Sequence, residues 1–186
     1  MRITIIVSGR VGSALGRRRT AAGHDVMTLG RAGGDAGGSE VILVAIPGDA
    51  IADGFSRVSG FGGQITIDAT NKFGDRPPRF DSVAEQVKSF IGGPTAKAFN
   101  TNFAVLYDKV DAEAVRPGTL FAADPDARTT TERLILDAGF QPVHLGDLGQ
   151  APLLESLIAL TRALDNGELG PFFYRFNRPG ELTSGR

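Results

Sequence analysis

Residues 3–12 read ITIIVSGRVG, a β-branched run that passes directly into a glycine turn. Short runs of apolar, β-branched residues are typical of buried strands, and the periodicity that follows predicts a helix over 12–22. Gly9 and Gly12 hold the second and third positions of the pattern Gly-x-Gly-x-x-Gly, but Val7 stands where the first glycine belongs. The stretch therefore predicts a strand, a tight turn and a helix.

That turn is a candidate phosphate-binding site. Backbone N–H groups in the first turn of a helix point toward an approaching anion, and the helix dipole adds partial positive charge there. We predict that a dinucleotide or mononucleotide binds here, and the predicted contact residues are Ser8, Gly9, Arg10, Val11 and Gly12. The alternative is that the two glycines serve only a tight connection. Val7 lowers the expected affinity, because a branched residue resists the strained turn that glycine accepts.

Composition bounds the class of protein. The 186 residues suffice for one sizeable domain. A formal net charge of -1 gives no electrostatic reason to expect nucleic acid or a membrane surface as a partner. The chain has no cysteine and two histidines, which excludes thiol chemistry and offers no clustered metal ligands. No apolar run has the length of a signal peptide or membrane span, so we expect a cytoplasmic protein.

Short apolar runs alternate with helical patterns up to residue 146, which predicts an α/β fold of the Rossmann type: a doubly wound, mostly parallel sheet with helices on both faces. The predicted strands are 3–7, 25–29, 41–46, 64–68, 95–99, 119–123 and 141–145. The predicted helices are 12–22, 48–58, 81–90, 128–138 and 151–164. We expect residues 1–150 to form a nucleotide-binding domain. Residues 151–186 are expected to form a short C-terminal helical cap with an aromatic tail packed on it.

The connection from Gly30 to Glu40 is unusually short. A standard first half of this fold places a helix, a third strand and a further helix here, and eleven residues with five glycines are too few for that. We therefore predict a truncated first half. The strand over 25–29 becomes an edge of the sheet, and part of the usual wall around the adenine is missing.

Arg31 is the candidate residue for choosing the cofactor. An enzyme that uses NAD normally carries Asp or Glu at the end of the second strand, where the acid binds the ribose hydroxyls. This chain has Thr28-Leu29-Gly30-Arg31 at that point. An arginine without an acid suits a 2′-phosphate, which favours NADP over NAD. The alternative is an arginine of a solvated loop.

Further candidates follow the ends of two buried strands, because ligands of open α/β sheets bind beside the carboxyl ends of the strands. We expect Ile46, Pro47, Thr70 and Asn71 to line the path of the ribose and nicotinamide. Turn capping is the alternative for Asn71 and for Asp68.

Candidates for catalysis are few. Asn100 follows the strand over 95–99 and is both a cofactor-binding and a catalytic candidate, and His144 is a second catalytic candidate, although a lone strand histidine is more often structural. Lys72 and Lys97 are the lysines to consider as proton donors. Arg19 occupies an apolar position of the first helix, so we expect its charged end to extend to the surface.

Several ordered stretches together resemble the family of coenzyme F420-dependent NADP oxidoreductases. The resemblance covers nearly the whole chain, and it rests on residues 3–16, Gly23-His24-Asp25-Val26, Val44-Ala45-Ile46-Pro47, Ile67-Asp68-Ala69-Thr70-Asn71, Lys97-Ala98-Phe99-Asn100-Thr101, Gly139-Phe140-Gln141-Pro142-Val143 and Leu153-Leu154-Glu155. The chain departs from the family at Val7, at the shortened link and at Arg19. All three departures fall in the NADP-binding half.

The resemblance implies a Rossmann domain whose small C-terminal helical cap helps to form a deazaflavin site. It implies NADP on residues 8–12 and Arg31, with the nicotinamide near Pro47, Thr70 and Asn100, and coenzyme F420 as co-substrate. Hydride transfer between two planar rings needs no strong protein acid or base, which agrees with the sparse set of catalytic candidates.

Two other functions stay open from the sequence. One is a non-catalytic dinucleotide-binding protein with a degenerate site, and the other is a purely structural subunit. A small-molecule redox partner is expected for the enzyme. A homodimer is also expected, from the exposed edge strand and the aromatic tail.

Overall fold

The computed structural model describes residues 1–7, 9–74 and 79–180, and it describes only the backbone of Val7. The strands in this part of the chain are β1 (Arg2–Val7), β2 (Asp25–Leu29), β3 (Gly34–Asp35), β4 (Val41–Ala45), β5 (Val58–Ser59), β6 (Ile65–Asp68), β7 (Thr95–Ala98), β8 (Gly118–Ala123) and β9 (Gln141–Gly146). The α-helices are α1 (Arg10–Ala21), α2 (Ile51–Phe55), α3 (Val83–Ile91), α4 (Pro125–Asp137) and α5 (Ala151–Asp165). Short 3-10 helices cover Gly48–Ala50, Ala104–Ala112 and Leu148–Gln150.

The predicted α/β fold is confirmed, and each predicted strand and helix has a counterpart with shifted ends. The helix predicted over 48–58 is much shorter, because a 3-10 turn precedes α2 and β5 follows it. Gly54 lowers the helical propensity of this region. Helix α4 begins three residues earlier than predicted, at Pro125, since proline is favoured in the first turn of a helix.

Seven strands form the main sheet in the order β2-β1-β4-β6-β7-β8-β9. Neighbouring strands run parallel except for β7 and β8, which pair antiparallel with Lys97 opposite Ala122. The connection between β7 and β8 holds a 3-10 helix and returns the chain at the end of the sheet where β7 finished. A parallel pair would have required a crossover to the opposite end.

Strand β2 is the terminal strand of the main sheet, which is the edge position predicted for residues 25–29. The short link is nevertheless well packed. Its β3 pairs with β5 in a separate two-stranded sheet, and Ala36 is fully buried. Gly33 has a φ of +76°, and a Cβ there would lie 1.9 Å from the carbonyl oxygen of Arg57. The link therefore attaches β2 to the segment that follows α2.

Two apolar cores lie on opposite faces of the sheet. Helices α1 and α4 contribute Leu15 and Ile135 to the larger core, which also contains Phe99. Helices α2 and α3 contribute Phe55 and Val87 to the other core. This distribution is the doubly wound arrangement that the strand and helix alternation predicts.

Arg19 corrects one expectation, because its side chain is fully buried and does not reach the surface. It continues the inward face of α1, and its guanidinium carbon lies 5.1 Å from the centroid of the Phe99 ring. None of its three side-chain nitrogens has a hydrogen-bond partner among the described residues. Burial lowers the pKa of Arg19 to about 10, and burial also raises the pKa of the neighbouring Tyr107 hydroxyl.

The aromatic tail after α5 packs on its own chain. Phe173 packs against the larger core and contacts Phe140 edge to face. The Tyr174 hydroxyl lies 2.6 Å from Thr101 Oγ1. The backbone carbonyl oxygen of Tyr174 accepts a hydrogen bond from the Gly118 N–H at 2.6 Å. The domain boundary that we place at residue 150 stays a prediction. No helix in the described part of the chain is long and apolar enough to cross a membrane.

Candidate functional site

The start of α1 offers backbone N–H donors, because its first turn contains no acidic residue and no side chain of the described residues caps it. Gly9 is extended and precedes the helix, and a Cβ at Gly9 would meet no atom within 4 Å. The space beside Gly9 is therefore open, and the free N–H groups of the first turn face an approaching anion. Arg10 is exposed beside them. Ser8 lies outside the described residues, and Gly12 is buried inside the helix.

A cavity of about 310 Å³ connects this turn to the ends of β4 and β6. We call it the strand-end cavity, and its lining residues are Gly9, Arg10, Val11, Ala45, Ile46, Pro47, Gly48, Asp49, Ala69, Thr70, Asn71 and Phe73. Gly48 permits the two strand ends to approach each other, because a Cβ there would lie 2.5 Å from the Cβ of Lys72. The structure thus brings most of the predicted contact residues together.

A second cavity of about 360 Å³ lies beside the first and shares Ile46 and Pro47 with it. We call it the arginine cavity, and its lining residues are Ile6, Gly30, Arg31, Ile46, Pro47, Ala50, Asp53, Gly54 and Arg57. Arg31 therefore lines a cavity that adjoins the strand-end cavity. Arg57 and Asp53 are additional residues of this cavity that the sequence analysis missed. Asp53 lies in α2 and Arg57 follows this helix, and no periodic pattern around Arg57 could have indicated its place.

Asp68 and Lys97 form a fully buried network below the strand-end cavity. Lys97 Nζ donates to Asp68 Oδ2 and to the Thr70 carbonyl oxygen, each at 2.7 Å, and lies 3.3 Å from Glu155 Oε1. Asp68 Oδ1 accepts hydrogen bonds from the Thr70 N–H at 2.9 Å and from its hydroxyl at 2.6 Å. Asp68 thus caps the turn, as one of the two sequence interpretations expects. Lys97 stabilises the turn, because its amine contacts Asp68, the Thr70 carbonyl and Glu155.

Asn71 and Asn100 bond to each other behind the cavity wall. Asn71 Nδ2 donates to the Asn100 carbonyl oxygen at 2.7 Å, and Asn100 Nδ2 donates to Asn71 Oδ1 at 3.2 Å and to the Leu154 carbonyl oxygen at 2.9 Å. Asn100 is buried and lines neither cavity. The preceding residue, Phe99, has a φ of 65°, a left-handed conformation that costs energy for a bulky side chain. Asn100 therefore positions Asn71, which lines the strand-end cavity, and does not itself line either cavity.

His144 lies far from these cavities. It belongs to β9, at the opposite edge of the sheet from β2, and its ring centroid lies 4.9 Å from that of Phe121. Lys72 lies closer, since it forms an ion pair with Asp49 of the strand-end cavity. The structure does not bring His144 together with the other candidates.

Phe73 is a further residue that the sequence analysis missed. It lines the strand-end cavity and is 55% exposed, and the Arg162 guanidinium of α5 lies 4.6 Å from its ring centroid. An exposed aromatic ring at a cavity mouth offers a flat apolar face to a planar ligand. The position of Phe73 shortly after Thr70 and Asn71 could have indicated this contribution.

Comparison with known proteins supports the fold through solved structures only. No protein-family model matches the chain, and no curated protein is similar to it in sequence. A proposed F420-dependent NADP reductase from Arthrobacter sp. FB24 has a similar structure, with a TM-score of 0.74, 19% identity, and coverage of 96% of this chain and 100% of that chain.

Two further structures have the same fold. A hypothetical protein from Sinorhizobium meliloti has a TM-score of 0.64 and 28% identity, and the alignment covers 82% of this chain and 88% of that chain. A reductive aminase from Aspergillus terreus, solved with NADPH and ethyl levulinate, has a TM-score of 0.65 and 16% identity, with 89% of this chain and 62% of that chain covered. At these identities the comparison shows a shared Rossmann-like fold.

Proposed function

We propose that the protein is an NADP-dependent oxidoreductase that transfers hydride between NADP(H) and coenzyme F420 or a similar planar acceptor. One observation carries the proposal: the two cavities share Ile46 and Pro47, and the strand-end cavity extends from there to the uncapped start of α1. An elongated ligand with a central diphosphate and two ring systems suits such a shape.

The residues present fit that cofactor. The free N–H groups at the start of α1, with exposed Arg10, suit a diphosphate. Arg31 in the arginine cavity suits a 2′-phosphate, because a guanidinium binds phosphate oxygens in a bidentate manner. Pro47 and Thr70 of the strand-end cavity would then contact the ribose and nicotinamide.

NADPH supplies a hydride to a bound acceptor. The protein's own part is to hold the rings in contact and to exclude water, and hydride transfer between planar rings needs no protein acid at the reacting carbon. The Lys97 amine is occupied by Asp68 and Thr70, so it is not positioned as a proton donor to a ligand. This arrangement suits a planar acceptor better than a ketone, whose reduction needs a proton donor.

Phe73 marks the side of the cavity where we place the acceptor. Its exposed ring lies at the opening, and Arg162 adds a positive charge above it. The Arthrobacter protein that shares this fold is itself a proposed F420-dependent NADP reductase, which supports a deazaflavin as the acceptor. We also propose that the protein forms a homodimer.

Titration with NADPH and NADH, followed by nucleotide fluorescence, tests the binding half of the proposal. Addition of coenzyme F420, or of a free flavin, then tests turnover through the loss of NADPH absorbance. We expect NADPH to bind more tightly than NADH and to be oxidised by the deazaflavin. Binding without oxidation by any planar acceptor would contradict hydride transfer, and binding of neither nucleotide would contradict the whole proposal.

A further inference from the structure

The arginine cavity contains two guanidinium groups that arrive from different elements. Arg31 follows β2, and Arg57 follows α2. The two residues are joined directly, because Arg57 Nη1 donates a hydrogen bond to the Arg31 carbonyl oxygen at 3.1 Å. The Arg57 side chain is 46% exposed, so its guanidinium is accessible to a ligand in the cavity.

The backbone of Arg57 is fixed by the small sheet of β3 and β5. Its carbonyl oxygen accepts a hydrogen bond from the Gly34 N–H at 3.0 Å, and its own N–H donates to the Gly54 carbonyl oxygen at 3.3 Å. Gly33 makes this close approach possible, since any Cβ there would overlap the Arg57 carbonyl. The shortened link therefore holds the backbone of Arg57 beside the cavity.

Asp53 is the present partner of Arg57 within the same cavity. Its Oδ1 accepts a hydrogen bond from Arg57 Nη2 at 2.6 Å, and the carboxylate is 63% exposed. An exposed i,i+4 ion pair is weak, and a phosphate dianion offers a guanidinium more negative charge and more acceptor oxygens than a carboxylate does. A phosphate dianion can therefore replace the carboxylate as the partner of Arg57.

We propose that Arg57 is a second residue that selects for a 2′-phosphate, with Asp53 holding its guanidinium in the cavity until the phosphate replaces it. The inference rests on the proposed function, because it concerns the same nucleotide. Arg31 and Arg57 would contact one phosphate from two sides, and Asp53 would lower the affinity by its negative charge. The arginine cavity then selects NADP through two elements rather than one.

The experiment measures dissociation constants for NADPH, NADH, 2′,5′-ADP and 5′-AMP in matched variants. Arg57→Met keeps the length of the side chain and removes the charge, Arg57→Lys keeps the charge and removes the planar group, and Asp53→Asn removes the competing anion. Arg128→Met is the control, because Arg128 forms a comparable exposed i,i+4 pair with Glu132 on α4 at 2.9 Å. Arg31→Ala serves as the positive control for loss of 2′-phosphate binding.

We expect Arg57→Met to weaken the binding of NADPH and 2′,5′-ADP by roughly 10–100-fold, because the 2′-phosphate loses a charged hydrogen-bond donor. The dissociation constants for NADH and 5′-AMP should change by less than about twofold, since these ligands lack the 2′-phosphate. Arg57→Lys should lose part of the preference, because an ammonium lacks bidentate geometry. Asp53→Asn should tighten NADPH and leave NADH unchanged, and Arg128→Met should change nothing.

The outcomes separate this inference from the proposed function. If Arg31→Ala loses the preference for NADPH and Arg57→Met keeps it, the role of Arg57 is overturned and the proposed function stands. Equal weakening of NADPH and NADH by Arg57→Met, with an unchanged melting temperature, also overturns the inference. Wild-type protein that binds no nucleotide overturns the proposed function itself. If one Arg57 variant does not fold, the other variant decides the question. Its dissociation constant for 2′,5′-ADP is then compared with that of the wild type.

Discussion

Arg19 and Lys97 are two fully buried cations with very different surroundings. The Lys97 amine has two oxygen acceptors at 2.7 Å and a second carboxylate at 3.3 Å. The Arg19 guanidinium has an aromatic ring beside it and no hydrogen-bond partner among the described residues. Contact with a ring contributes about 0.5–2 kcal/mol, whereas removing an ion from water costs several kcal/mol, so Arg19 lowers the stability of the fold.

Replacement of Arg19 by methionine should therefore raise the free energy of unfolding by about 1–3 kcal/mol. Methionine fills a similar elongated space and carries no charge to desolvate. Denaturant unfolding of the wild type and the variant measures the difference. Arg17→Met is the matched control, because Arg17 lies on the exposed face of the same helix and forms a surface ion pair with Asp108. A destabilised Arg19→Met variant would show that the charge has a stabilising partner.

The same pair of proteins gives a prediction about pH. Burial lowers the pKa of Arg19 from 12.5 to about 10, so the unfolded chain binds an additional proton between these two values. As the pH rises through this window, the unfolding free energy of the wild type should therefore increase relative to that of the Arg19→Met variant. The advantage of Arg19→Met should be complete below about pH 10 and should shrink above it. A constant difference across that range would contradict a charged Arg19.

Replacement of Lys97 by methionine should lower the free energy of unfolding by about 3–5 kcal/mol, because it leaves two carboxylates without their cation. Chemical denaturation measures the loss. Lys88→Met is the control: Lys88 pairs with Asp124 at 2.7 Å but is 43% exposed, so we expect a change below about 1 kcal/mol. The double variant Lys97→Met and Asp68→Asn should recover part of the stability. Equal effects of the two single variants would contradict the role of burial.

At the scale of elements, the sequence predicts strand ends better than contacts. Runs such as 41–46 and 64–68 have the composition of buried strands, and their carboxyl ends meet at one edge of the sheet. Pro47 and Thr70 could therefore be assigned to the site. Val7 belongs to β1 and is paired with Ala45 of β4, an extended conformation that valine readily adopts, and the effect that we expect of Val7 on nucleotide affinity stays a prediction.

Arg57 could not be placed in this way. Its position depends on β3 and β5, which have two residues each and no periodicity that a sequence pattern could show. The buried end of Arg19 and the position of Asn100 behind Asn71 have the same origin. In each case the partner lies far along the chain, and only the packing of elements decides what the side chain meets.

The tail after α5 offers a test at this scale. The Tyr174 hydroxyl bonds to Thr101 Oγ1 at 2.6 Å and accepts a hydrogen bond from the Leu120 N–H at 3.3 Å. We expect Tyr174→Phe to lower the unfolding free energy by about 1–2 kcal/mol. Tyr107→Phe is a matched control, because the Tyr107 hydroxyl is buried without a partner among the described residues. Its removal should be neutral or stabilising, and thermal or chemical unfolding distinguishes the two variants.

At the scale of the whole molecule, two apolar surfaces face away from the cores. One is the outer face of α5, where Leu153, Leu160 and Leu164 are exposed at helical spacing. The other is the edge strand β2 with exposed Met27. The tail, which supported the expected homodimer from the sequence, packs on its own chain instead. The leucine face is therefore the better candidate for a self-complementary contact between two copies.

Sedimentation equilibrium tests the homodimer. We expect the wild type to dimerise, Leu160→Glu to shift the population to monomer, and Met27→Glu to leave the dimer intact. A charge in the middle of an apolar interface is costly because it loses its hydration without gaining a partner. A wild type that is monomeric at every concentration would contradict the prediction. Dissociation by Met27→Glu alone would assign the interface to β2.

Helix α5 has a consequence for the order of events during synthesis. Glu155 accepts hydrogen bonds from the Val83 N–H at 2.9 Å and from the Ala84 N–H at 3.2 Å, and Leu154 accepts from Asn100. These acceptors leave the ribosome after every strand of the sheet. Until they arrive, the Val83 and Ala84 N–H groups lack their acceptor, and Lys97 and Asn100 keep only their partners within the sheet and its strand ends. A nascent chain that has completed its sheet would therefore fix the wall beside Thr70 only after α5 has packed against it.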